Sequence, residues 1–332
     1  MIKPQFSFAH LAALAEVLLV LAAGNLIGEL IFSLVMPASV LDRSASEMVL
    51  ATSDGLLILF RLGTVAAIGL GLLFWRRGVT PRQAGLSRAG KPITTLVSQG
   101  LLMGLVSGGL VAILFALQEL VVLGEGLPAW RTYYQEPLNL AFLISVLGTA
   151  VIIPPLTEEI MTRGYMRHRI VEAYGPMAGV LLTALVFSLS HSRYVSSDGM
   201  LFGFLCILII NSIMWTYSAQ RTGSIIPALV AHALANGIGT LVLFNVWWPL
   251  LTILLFLIPW LPHLRGGWQS FLLDWSLDNE KSSLWSGLII IVVVLVLAMT
   301  GLSVLGRTLT LLLLGGGSLV VTALAFMRSE KK

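Results

Sequence analysis

Apolar residues in this chain neither alternate with period two nor keep to one helical stripe. They run in near-continuous stretches of roughly twenty residues, broken by short polar segments. A segment apolar on every side is buried on every side, and in lipid only helices or closed barrels satisfy all backbone groups. The pattern predicts spans near 11–35, 55–75, 97–123, 139–172, 176–191, 200–218, 225–243, 246–262, 284–305 and 308–327, the seventh and eighth being able to fuse. The expected fold class is all-α: a polytopic transmembrane bundle of 8–10 helices. No internal repeat, low-complexity linker or soluble domain interrupts it, so 1–332 reads as one membrane domain.

Composition agrees: 57% of residues are hydrophobic and 11% charged, against roughly 25% charged in soluble domains. The net charge of +4 does not imply a nucleic-acid partner, because the basic residues lie in loops. In a ten-helix topology Lys3, Arg76, Arg77, Arg82, Arg88, Lys91, Arg163, Arg167, Arg169, Arg221, Arg328, Lys331 and Lys332 share one side. Only Arg43, Arg131, Arg193 and Arg307 take the other. The positive-inside rule then puts both termini in the cytoplasm, as expected for a multi-pass protein of the cytoplasmic membrane. Cys206 is the single cysteine, which excludes an internal disulfide and a Cys-rich metal site. Leu11 to Val35 is longer than a signal-peptide h-region and reads as a retained first helix.

Three polar clusters then stand out inside apolar helices: Glu158-Glu159-x-x-x-Arg163, Phe187-x-x-x-His191 and His232-x-x-x-Asn236. Ionisable groups in hydrocarbon cost several kcal/mol unless paired or hydrated, so they mark function by default. Gly175-Pro176 reads as a helix stop followed by a start. Counted outwards from that turn, Glu158 lies 17 residues before Gly175 and His191 15 residues after Pro176. Both sit roughly 23–26 Å along antiparallel helices, at about the same level. His232, eight residues after Ser224 in the turn around Gly223, reaches a similar depth on a third helix. Glu159 and Arg163 have the favourable i,i+4 order of a structural ion pair, which leaves Glu158, about 100° away, free for chemistry. Phe187 is expected to pack against His191. Asn236 is expected either to bond between helices or to stabilise an oxyanion. Glu16, Glu29 and Arg61 are further intramembrane charges, expected to pair or to line a polar entrance. His10, His168 and His263 read as solvated interfacial histidines, and Trp75, Trp130, Trp247, Trp248, Trp260 and Trp268 as interfacial anchors.

The set E-E-x-x-x-R, F-x-x-x-H and H-x-x-x-N, in this order, resembles the CPBP family of CAAX prenyl proteases and Abi-type proteins. The strings Pro154-Pro155-Leu156-Thr157-Glu158-Glu159 and Thr222-Gly223-Ser224-Ile225-Ile226-Pro227 also resemble it. The resemblance covers a protease-like core of about 140–240, and extra C-terminal helices over about 246–327 lie outside it. It implies an endopeptidase acting on a membrane-associated, for instance prenylated, peptide or protein, with Glu158, Glu159, Arg163, His191, His232 and Asn236 as the catalytic set. In the preferred metal-free reading Glu158, assisted by His191, activates water while His232 and Asn236 hold the oxyanion. In the alternative, Glu158, His191 and His232 bind zinc; against it, His-x-x-x-Asn lacks the second histidine of a helical zinc motif. Competing classes are a proton-coupled transporter, since intramembrane Glu and His also form proton relays, and a non-catalytic immunity or scaffold protein.

Overall fold

The computed structural model describes residues 7–36, 47–121, 148–191, 199–243, 258, 261–277, 281–304 and 318–323. Among them the chain is helical and contains no strand, so the all-α class holds. In chain order the helices are α1 (Phe8–Val35), α2 (Glu47–Gly71, continued by a π-helical turn Leu72–Arg76) and α3 (Ile93–Val121). Helix α4 is composite: a π segment Gly148–Ile152, an α segment Ile153–Glu159, a second π segment Ile160–Met166 and an α segment Arg167–Tyr174. Then come α5 (Pro176–Ser190), α6 (Gly199–Thr222), α7 (Ile226–Leu243), α8 (Leu261–Leu277) and α9 (Lys281–Val304). Four stretches, Phe8–Val35, Gly55–Arg76, Ile93–Leu114 and Phe202–Thr222, are long and apolar enough to cross a membrane, while α5, α7 and α9 contribute shorter apolar helices.

Packing follows from small residues where helices must touch. On α3, Gly100, Gly104 and Gly108 repeat every four residues, and a Cβ at any of them would collide with α7 at Val230, Leu234 or Ile238. That close seam fixes α7, and His232 with it, against α3. Gly175 has φ +84°, the left-handed conformation a helix stop requires, and Pro176 opens α5 at once. The hairpin expected from Gly-Pro is therefore formed. The core runs between α1, α2, α4 and α5 through Leu14, Val17, Val65, Met161, Tyr165 and Leu182.

Loop 78–92 folds over one end of the bundle. Gly85 O accepts from Ile225 N at 2.9 Å and Lys91 Nζ donates to Arg221 O at 3.4 Å. This end also gathers Glu16, Arg77, Arg169 and Glu172: Arg77 and Arg169 each donate to Glu16 Oε2 at 2.9 Å and also reach Glu172. Glu16 is thus paired, as expected, but with α2 and α4 rather than with Arg61. Arg61 Nε donates to Asn25 Oδ1 at 3.1 Å across the α1–α2 contact.

One expectation needs correcting. His10 is not a solvated interfacial residue: it is buried, stacked on Tyr174 with ring centroids 4.4 Å apart and paired with Ser286 Oγ at 3.0 Å. The sequence hides this because α9 returns over α1 from nearly 280 residues away. The segment between the predicted 246–262 and 284–305 spans, inside the expected C-terminal helices, is also helical over Leu261–Leu277 and has no buried residue. Leu261, Leu264, Trp268, Phe271, Leu272 and Trp275 share one stripe at helical spacing, diluted by His263, Arg265, Gln269 and Asp274 below the threshold of a span. Most of the predicted 246–262 span and most of 308–327 lie outside the described residues, as does Arg193.

Candidate active site

Two adjacent prolines shape the helix that carries the carboxylates. Ala150 O would accept from residue 154 in an α-helix and from residue 155 in a π-helix, and both are proline, without an N–H. The orphaned carbonyl is satisfied from another helix: Asn236 Nδ2 donates to it at 2.9 Å. Of the two roles expected for Asn236, interhelical bonding is therefore present, and it uses one of the two amide hydrogens. Thr157 Oγ1 bonds back to Ile153 O at 2.8 Å, and Glu158 and Glu159 follow just before the second π segment. Wide turns of this kind recur at functional sites.

Glu159 is fully buried and its Oε1 takes two bonds, from Arg163 Nη1 at 2.9 Å and from His232 Nδ1 at 2.8 Å. The expected Glu159–Arg163 pair is formed, and it serves a second purpose the spacing did not reveal, since it also holds His232. Arg163, likewise inaccessible, donates through Nη2 to Ser212 Oγ at 2.8 Å and Ser212 O at 3.3 Å. Its guanidinium carbon lies 4.7 Å from the Phe187 ring centroid and 5.5 Å from that of Trp215. Glu159 Oε2 and Arg163 Nε are buried with no protein partner among the described residues.

His191 closes α5. With the helix ending at Ser190, the Phe187 carbonyl has lost its backbone donor; Ser190 Oγ donates to it at 2.7 Å and His191 Nδ1 lies 3.0 Å away. Phe187 also packs edge-on against His191, centroids 4.9 Å apart, as expected, and edge-on at 6.4 Å against His232. The Phe187 carbonyl can only accept, and Glu159 Oε1 already accepts from Arg163, so Nδ1 is the donor in both histidines. Both Nε2 atoms then face Glu158: His191 Nε2 and His232 Nε2 are each 3.8 Å from Glu158 Oε2. Glu158 is 9% exposed and the His191 side chain 22%, so this triad lies at the accessible edge of the site while Glu159 and Arg163 lie behind it.

Sequence reasoning missed the contribution of α6. Ser212 and Trp215 are buried between apolar neighbours and look like core in a sequence. The only available signal was their i,i+3 spacing beside Asn211, a polar face on an otherwise apolar span.

Comparison with protein families matches residues 139–238 to the family described as type II CAAX prenyl endopeptidase Rce1-like. Over that stretch the chain is similar to the Rce1-like family. All six residues of the predicted set fall inside the matched stretch, on α4, α5 and α7. The four long apolar helices, together with this match, make this an integral membrane protein with a stretch similar to a protease family. No curated protein and no solved structure matches the chain.

Proposed function

We propose that the protein is an intramembrane endopeptidase that cleaves a membrane-associated peptide by attack of a water activated by Glu158. One observation carries this reading: Glu158 Oε2, His191 Nε2 and His232 Nε2 converge, each nitrogen 3.8 Å from the carboxylate oxygen. With both Nδ1 atoms protonated, neutral rings present lone pairs, so three acceptors face one space. A water fits that space because its two hydrogens have acceptors and its oxygen lone pair is left free to attack. Glu158 takes the proton as the C–O bond forms, and His191, at the open edge, relays it to the leaving amine as the C–N bond breaks. His232 accepts the water's other hydrogen at Nε2 and so holds the attacking oxygen, while the amide hydrogen of Asn236 not used by Ala150 donates to the oxyanion, a contact typically worth about 3–4 kcal/mol.

Zinc fits this arrangement poorly. The edge of a tetrahedron of 2.0–2.1 Å bonds is roughly 3.3 Å, shorter than both separations. Among the described residues no three His, Cys, Asp or Glu are grouped to hold a metal. The substrate that the family description favours is a prenylated C-terminal CAAX peptide. The loop 78–92 end, rich in Arg and Lys, is the cytoplasmic end by the positive-inside rule, with both termini on that side.

The test is mass spectrometry of a prenylated CAAX peptide and a membrane-peptide library incubated with wild type and Glu158→Ala, each with and without chelator. New termini formed by wild type alone, with or without chelator, are the expected result. Chelator inhibition reversed by zinc would overturn the metal-free chemistry. No cleavage by folded wild type would overturn the peptidase and favour a transporter or scaffold.

A further inference from the structure

The machinery above uses α4, α5 and α7, yet the largest fully buried side chain belongs to α6. Trp215 is 2% exposed and its indole lies stacked over the His232 imidazole, centroids 4.8 Å apart and planes inclined by 25°. The indole is itself held: its Nε1–H donates to Ser107 Oγ on α3 at 3.2 Å, and Ser107 is inaccessible to solvent. The glycine seam of α3 presses that helix against α7, so Ser107, Trp215 and His232 belong to one rigid junction of three helices. The Phe187 ring also lies edge-on to the imidazole, centroids 6.4 Å apart.

This clamp has a consequence for the chemistry. Exchanging Nδ1 and Nε2 requires the imidazole to pass through an orientation perpendicular to its present plane, and a stacked indole occupies that space. The clamp therefore decides which nitrogen meets Glu159 and which meets Glu158.

We propose that Trp215 is a positioning residue for His232, and that Ser107 sets its tilt through the indole N–H. The inference rests on the peptidase reading for its effect on turnover, but its structural core can be read without activity. The experiment combines 15N-histidine NMR of the full-length protein in nanodiscs with cleavage kinetics, for wild type, Ser107→Ala, Trp215→Phe and Trp215→Leu. The His232 signal is assigned by its loss in His232→Gln. Wild type is expected to show His232 as a single Nδ1–H species. Trp215→Leu is expected to show averaged nitrogens, with kcat lowered roughly 10- to 100-fold, KM little changed and an altered pH–rate profile. Ser107→Ala, which loses the Nε1–H···Oγ bond with little change of volume, and Trp215→Phe, which keeps an aromatic face but loses that bond and some volume, are expected to show the same effects in smaller measure. An unaltered His232 signal and pH–rate profile in folded Trp215→Leu would overturn the proposal. Should Trp215→Leu not fold, an unaltered signal in both Ser107→Ala and Trp215→Phe would do so. If wild type cleaves nothing while the His232 signal still shifts in the variants, the peptidase reading falls and the positioning role stands.

Discussion

Replacing Glu159 by leucine removes the one acceptor shared by Arg163 and His232, and its cost can be worked from the burial of all three. Glu159 and Arg163 have 0% exposed side chains and His232 6%. Among the described residues the variant leaves the guanidinium with Ser212, two aromatic faces and the more distant Glu158 carboxylate, but no bonded anion. Removing one partner of a buried ion pair typically costs about 3–5 kcal/mol, because the other charge remains desolvated and unpaired. Adding Arg163→Met to Glu159→Leu deletes that stranded charge, and replacing both members of such a pair by apolar residues is often close to neutral. Thermal unfolding in detergent, followed by fluorescence and size exclusion, should therefore show Glu159→Leu losing much of its stability and the double variant recovering most of it. Cleavage should not recover, since His232 Nδ1 has lost its carboxylate in both. A Glu159→Leu protein as stable as wild type would refute the claim that Arg163 depends on this pair. A double variant with wild-type turnover would refute the claim that Glu159 orients His232.

Glu158→Gln should leave the unfolding midpoint within a degree or two, because among the described residues the nearest partners of Glu158 are the 3.8 Å histidine contacts, while cleavage falls below detection. Asn236→Ala should cost about 1–3 kcal/mol, the penalty of leaving the buried Ala150 carbonyl unpaired, and reduce kcat as well; loss of kcat with unchanged stability would contradict the Ala150 contact. Burial first, then the Arg167 guanidinium beside it, hold His168 at the basic end below the usual imidazole range. The folded state then binds fewer protons than the unfolded one as pH falls. The stability due to this group is full above about pH 6.5 and is lost as pH drops from there through the lowered folded value. His168→Gln should flatten that part of the unfolding curve, and an identical pH dependence in the variant would count against it.

The sequence by itself determined the class, the hairpin and the candidate chemistry. Uninterrupted apolar stretches permit little but helices in lipid, and Gly175-Pro176 has one sensible backbone reading. Charged residues are so costly in an apolar helix that Glu158, Glu159, Arg163, His191 and His232 announce themselves without any fold. Equal depth, counted from turns at 1.5 Å per residue, was enough to expect three of the helices to meet. Only the tertiary structure decided how those helices are rotated about their axes. Rotation depends on side-chain fit at seams such as Gly100-Gly104-Gly108 against α7, and it is that fit which gives Glu159 to His232 as well as to Arg163. The Ala150 bond to Asn236 needed both the missing proline hydrogens, visible in the sequence, and a donor 86 residues away, which was not. Trp215 and Ser107 escaped notice for a related reason. A tryptophan or a serine in an apolar helix has many harmless uses, and only contact with His232 separates this one from the rest.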